Sequence, residues 1–280
     1  MTGSATGSAA AFARARAEGR AALVGYLPAG FPDVAGSVEA LRTMVDAGCD
    51  VLEIGLPYSD PVMDGPTIQA AAQQALEGGT RTRDVLRVVE AAAETGTPTL
   101  VMTYWNPVER YGVERFAADL ASAGGAGLIT PDLTPDSAPE WIAAADDHGL
   151  DKVFLVSPSS TDARVAMTTA ACRGFVYATA VMGVTGARAT TSDLAAPLVA
   201  RTHATTDLPV GVGLGVSTGD QAAEVGSFAD GVIVGSAFVR ALQDHPDDLP
   251  AGLAALRTLT EDLAGGVRRA VRTPQEPARA

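Results

Sequence analysis

Glu53 is the residue whose surroundings most demand a chemical explanation. It is the lone carboxylate in Val51-Leu52-Glu53-Ile54-Gly55-Leu56, an apolar run bounded by Gly and Pro that reads as a buried strand. Side chains alternate along a strand, which puts Val51, Glu53 and Gly55 on one face and Leu52, Ile54 and Leu56 on the other. With the second set packed on covering helices, Glu53 points into the interior. Desolvation there raises a carboxyl's pKa toward the range in which it can both give and take a proton near neutrality. The alternative is a structural glutamate satisfied by backbone N–H groups, and these residues alone leave the two readings level. Asp60 and Asp64 follow in YSDPVMDGP, where Pro61, Gly65 and Pro66 interrupt regular structure. Turn formation accounts for Asp60 more readily than for Asp64.

A second signal is glycine-rich. Gly213, Leu214 and Gly215 in PVGVGLGVS, followed by Gly235 and Ser236 in VGSA, have the composition of a phosphate site built by the last two strand-to-helix loops of a barrel. Glycines let backbone N–H groups approach an anion, and a helix opening near Ser236 adds its positive end. The same glycines are also compatible with tight turns. Lys152 is the chain's only lysine and stands at the beginning of a strand, on the face away from these loops. That argues against a Schiff-base aldolase and against covalently held pyridoxal phosphate. His148, His203 and His245 fall at or beyond helix ends on the same wrong face, so the pattern offers no metal site. Carboxylate acid/base chemistry on a phosphorylated substrate is what remains. Tyr26, Met102, Tyr104, Ile129, Tyr177 and Leu214 stand at strand ends and could line a flat apolar pocket, although each also suits ordinary core. The segment Met182 to Thr190 reads either as a mobile lid or as an exposed loop.

These residues need a scaffold, and the chain repeats one. Apolar runs around residues 21–26, 50–55, 98–103, 126–130, 152–157, 174–178, 208–213 and 230–234 alternate with Ala-rich segments of helical period. Eight strand-then-helix units with near-continuous apolar strands predict an α/β fold of the (β/α)8 TIM-barrel type, whose chemistry sits at the C-terminal strand ends. The 280 residues, 47% hydrophobic, suit one domain preceded by an extra N-terminal helix, with residues 1–8 and 273–280 as tails. A net charge of −13 disfavours nucleic acid and anionic membranes as partners. No run is long enough for a membrane span, no secretion signal is apparent, and Cys49 and Cys172 form no disulfide pattern, all of which suits a cytoplasmic setting.

With LEIGLPYSDPVMDGPTIQ, YATAVMGVTGAR, GVGLGVS and IVGSAF in this order, the chain closely resembles the α chain of tryptophan synthase, from about Ala21 to Arg268. The resemblance implies a carbon–carbon lyase that cleaves indole-3-glycerol phosphate to indole and glyceraldehyde 3-phosphate. Its partner would be a β chain in an α-β-β-α complex, and pyridoxal phosphate would reside only in that β chain, leaving this chain without a cofactor. Glu53 and Asp64 match the family's catalytic acids and Tyr177 its active-site tyrosine. Thr185 and Gly186 match its closing loop, and Gly213, Gly215, Gly235 and Ser236 its phosphate site. Asp60, Pro61 and Asp132 match positions associated with partner contact. Phe31 and Thr134 depart from many relatives, in loops expected near the partner surface. A stand-alone lyase and a non-catalytic regulatory subunit are the alternatives.

Overall fold

The computed structural model of the chain describes residues 7–179 and 191–271. Nine parallel strands, β1 Ala22–Pro28, β2 Val51–Gly55, β3 Thr99–Met102, β4 Gly127–Ile129, β5 Asp151–Val153, β6 Leu155–Val156, β7 Val176–Thr179, β8 Val210–Gly213 and β9 Gly231–Val234, form one sheet in the order β5-β4-β3-β2-β1-β9-β8-β7-β6. The two ends of that order are consecutive in the chain. β5 and β6 are the expected fifth strand, interrupted at Phe154, whose first part pairs with β4 and second part with β7. The eight expected strands are therefore all present, and the ring closes through this break. Helices follow the strands, among them Val34–Ala47, Pro66–Glu77, Val113–Ser122, Pro139–Asp147 and Ser236–Gln243. Among the described residues no helix is long and apolar enough to cross a membrane.

The alternation along β2 resolves as the sequence requires. Leu52, Ile54 and Leu56 belong to the large apolar layer between strands and helices, whereas Val51 belongs to a separate cluster inside the ring. That inner cluster stacks Ala22, Val24, Leu100, Ile129, Val153, Phe175, Tyr177 and Ile233, so the barrel is filled and not a pore. Phe31, expected in a loop facing a partner, is instead buried in the outer layer.

The helix Ser8–Ala17 closes the N-terminal end of the ring, with Ala11, Phe12 and Ala15 joining the inner cluster. It begins at Ser8, within the expected tail, because Ser8 is anchored. Its backbone N–H and its hydroxyl both donate to Asp151, at 2.9 and 2.6 Å. At the other end of the helix Arg16 meets Asp230 at 3.2 Å, and Asp230 also accepts from the Val210 N–H. Arg20 then forms a two-pronged pair with Asp50 at 2.6 and 2.8 Å. Lys152 lies on this face too, paired with Asp146 at 2.5 Å.

Candidate active site

The C-terminal strand ends enclose a cavity of about 340 Å³, within the range of small-molecule sites. Tyr26 from β1, Glu53 from β2, Met102 from β3, Tyr177 from β7, Gly213, Leu214 and Gly215 after β8, and Gly235 and Ser236 after β9 all line it, as does Asp64. The structure thus brings together most of the residues singled out from sequence. Ile129 lies deeper, in the inner cluster, and Tyr104 stands behind the wall. Thr185, Gly186 and the rest of the expected lid fall outside the described residues. Met63, Gly65, Ile68, Pro131, Leu155, Thr179 and Ile233 complete the lining; of these the sequence marks only Gly65, as a turn residue and not as pocket wall.

Glu53 is fully buried, and neither carboxylate oxygen has a hydrogen-bond partner among the described residues. A structural glutamate would be satisfied by N–H groups; this one is not. Burial alone pushes its carboxyl up to about 8, so it holds its proton at neutral pH. Tyr26 sits opposite it in the β1–β2 register. The hydroxyls of Tyr26 and Tyr177 are held far above their usual range, first by burial and then by the neighbouring acids Glu53 and Asp64. Two glycines make room for these rings. A Cβ on Gly55 would come within 2.2 Å of the Tyr26 hydroxyl, and one on Gly213 within 2.6 Å of the Tyr177 hydroxyl.

Asp64 is reached by a turn. Val62 N–H donates to the Asp60 carbonyl at 2.9 Å and Asp64 N–H to the Pro61 carbonyl at 3.1 Å. Gly65 then caps the helix Pro66–Glu77, with Pro at its first position where no N–H is needed. Partial burial raises the Asp64 carboxyl above its usual range, while the nearby Tyr104 hydroxyl opposes that rise. The two acids therefore differ: Glu53 lies in a dry, unpartnered place, and Asp64 at the rim beside a hydroxyl donor. Asp60 is exposed and accepts from its neighbour Ser59 at 2.6 Å, as expected of a turn residue.

At the opposite wall Gly215 adopts φ +72°, and the helix Ser236–Gln243 starts at Gly235 with no side-chain cap. The first N–H groups of that helix have no intrahelical partner, and Gly235 and Ser236 line the cavity, an arrangement suited to an anion. Among the described residues no group of three His, Cys, Asp or Glu side chains could hold a metal ion. The cavity thus joins a protonated acid, a second acid, an apolar floor and an amide-rich end.

The family model for the tryptophan synthase alpha chain matches residues 12–268. The chain belongs to the tryptophan synthase alpha-chain family. It is 66% identical over 258 residues to the alpha chain of Salinispora tropica, covering 92% of this chain and 96% of that one. The alpha chain of Mycobacterium marinum is 61% identical over 258 residues, covering 92% and 93% respectively. Among solved structures, tryptophan synthase from M. tuberculosis superposes with a TM-score of 0.85 at 54% identity, covering 94% of this chain and 99% of that one. The alpha subunit from Legionella pneumophila gives 0.81 at 32% identity, covering 93% and 97%. The TIM-barrel architecture is therefore shared well beyond the span of high identity.

Proposed function

We propose that Glu53 and Asp64 carry the reaction of this family, cleavage of indole-3-glycerol phosphate to indole and D-glyceraldehyde 3-phosphate, in the cavity at the C-terminal strand ends. The observation that carries the reading is the unpartnered, fully buried Glu53. Protonated at neutral pH, it gives its proton to C3 of the indole ring. The resulting indolenine is an electron sink, so the bond from C3 to the glycerol carbon breaks with its electron pair returning to the ring. Glu53, now a carboxylate, takes the proton of the adjacent glycerol hydroxyl as that carbon becomes an aldehyde. Asp64 accepts the indole N–H and stabilises the positive charge that develops on nitrogen. The ring supplies what a lysine or a metal supplies in other aldolases, so the chain needs no cofactor of its own.

Tyr26, Met102, Leu155, Tyr177 and Ile233 give the indole its apolar surroundings, and the amides around Gly213, Gly215, Gly235 and Ser236 hold the phosphate. Acid/base help of this sort is worth about 10² to 10⁴ in rate, so orientation by the phosphate anchor must supply much of the remainder. Indole passes to a tryptophan synthase β chain, which carries the pyridoxal phosphate and completes L-tryptophan, in an α-β-β-α assembly. Val62 and Met63, large apolar side chains exposed on the Asp64 loop, stand at the mouth where such a partner would sit. The cytoplasm, where its substrate and partner would be made, is the compartment this reading requires. Indole release from indole-3-glycerol phosphate by the purified chain, alone and titrated with a β chain, tests the proposal. Slow release that rises steeply on titration is the expected result; no release in either case would overturn it.

A further inference from the structure

Tyr104 was expected in the pocket wall, yet it does not line the cavity. Its buried ring lies behind the Asp64 loop, and its hydroxyl oxygen accepts the Met63 N–H at 2.9 Å. The phenolic proton is left to act on the Asp64 carboxylate, whose upward shift the Tyr104 hydroxyl opposes. On the other side of the same turn Gln69, one helical turn into Pro66–Glu77, donates its amide to the Asp64 carbonyl at 2.8 Å and lies 3.5 Å from the Pro61 carbonyl. The short segment that presents Asp64 is thus gripped on its N–H side by a strand-end tyrosine and on its carbonyl side by a helix glutamine.

Tyr104 is itself fixed in place. The next N–H, that of Trp105, donates to both carboxylate oxygens of Asp132 at 3.0 and 3.1 Å, which caps the helix Trp105–Tyr111 with a loop from β4. The Tyr58 ring packs on the Tyr104 ring with centroids 5.3 Å apart, and Asn106 donates to the Tyr58 hydroxyl at 3.1 Å. Loops after β2, β3 and β4 meet in this one cluster. A loop rich in Pro and Gly would otherwise place its carboxylate over a wide range of positions, and a misplacement of about 1 Å costs on the order of 10²-fold in rate.

The geometry points to Tyr104 and Gln69 as positioning residues that hold Asp64 against the indole nitrogen, with Asp132 fixing Tyr104 from behind. This rests on the catalytic assignment of Asp64 made above. The groups facing Asp64 from the surrounding elements are Tyr104 after β3, Tyr26 of β1 and Tyr177 of β7, with Glu53 of β2 deeper in the cavity. Of these, Tyr104 alone also holds the loop backbone.

The test is a double-mutant cycle on the chain saturated with β chain, using kcat and KM for indole-3-glycerol phosphate, together with hydrogen exchange of the segment 60–65. Tyr104→Phe is expected to lower kcat about tenfold with KM within about twofold, and to speed exchange of the segment. Gln69→Ala should lower kcat about threefold, and it leaves the buried core untouched should Tyr104→Phe fold poorly. In an Asp64→Asn background neither change should lower kcat further. Equal losses in both backgrounds, or a rise in KM at constant kcat, would overturn the inference. Should Asp64→Asn retain near-normal kcat, the catalytic assignment itself falls; should Asp64→Asn fail while Tyr104→Phe and Gln69→Ala do not, only the positioning role falls.

Discussion

The two ends of the barrel treat buried acids in opposite ways. At the closed end the buried Asp151 and Asp230 accept hydrogen bonds from Ser8 and from Arg16 and the Val210 N–H respectively, and the half-buried Asp50 accepts from Arg20 and the Leu23 N–H. At the open end Glu53 is as deeply buried as any of them and accepts none among the described residues. Satisfied acids tie elements together, while an unsatisfied one is expensive to ionise and so keeps a proton to spend. Burial is common to both ends, and the supply of donors decides whether a carboxylate serves stability or chemistry.

Breaking the contrast at the open end should have the largest effect. Glu53→Gln is expected to lower kcat by about 10² to 10⁴ with an unchanged far-ultraviolet circular dichroism spectrum, read as indole release. The converse change is Asp151→Ala, which strands the Ser8 amide and hydroxyl in a buried place. It should cost about 2 to 3 kcal/mol in urea unfolding while kcat of the folded protein stays within about twofold. Activity lost at the closed end without loss of stability would erase the distinction.

The same contrast has a pH signature. The folded Glu53 carboxyl, raised by burial to about 8, keeps a proton that the unfolded chain releases near its ordinary value of 4.5. Stability from this group is therefore whole below pH 4.5, falls as pH rises, and is lost once pH passes about 8. Glu53→Gln removes that dependence. Its unfolding free energy should gain on that of the parent between pH 5 and pH 8.5 by about 3 to 4 kcal/mol, a difference that a pair of urea titrations would reveal. A constant offset across that range would mean that Glu53 ionises normally. The smallest effect is reserved for the phosphate end. Ser236→Asp should raise KM by about tenfold and leave kcat within about twofold, because a fixed negative charge would face the anion at the helix start.

Much of this was legible in the sequence, for a physical reason that also sets its limit. Alternation along β2 and the positions of the eight apolar runs are local properties, and Glu53, Tyr26 and Gly213 could be placed from them. Height inside the barrel is not local. The strands are staggered around the ring, so a residue near the end of one strand lies level with the middle of another. Ile129 therefore lies outside the cavity lining, while Ile233 and Leu155, inside apolar runs that single out neither, reach it. Leu155 points inward by the same alternation that puts Val153 in the inner cluster and Phe154 and Val156 in the outer layer, and only its height went unread. Tyr104 was correctly placed at a strand end, but its partner Met63 lies 41 residues away in the chain, beyond any spacing rule.

The way the ring closes also governs how the molecule is exposed while it is being made. Because β5 and β6 adjoin in the chain and Lys152 bridges to Arg173 beside the step between them, the described residues leave only these two short strands at the ends of the sheet, a small margin for a foreign strand to add to. That protection comes late. β1 pairs with β2 on one side and with β9 on the other, so the sheet is an open ribbon until residues 231–234 have left the ribosome. A nascent or truncated chain ending before them carries two unpaired margins of apolar strand, the geometry that recruits other chains into aggregates.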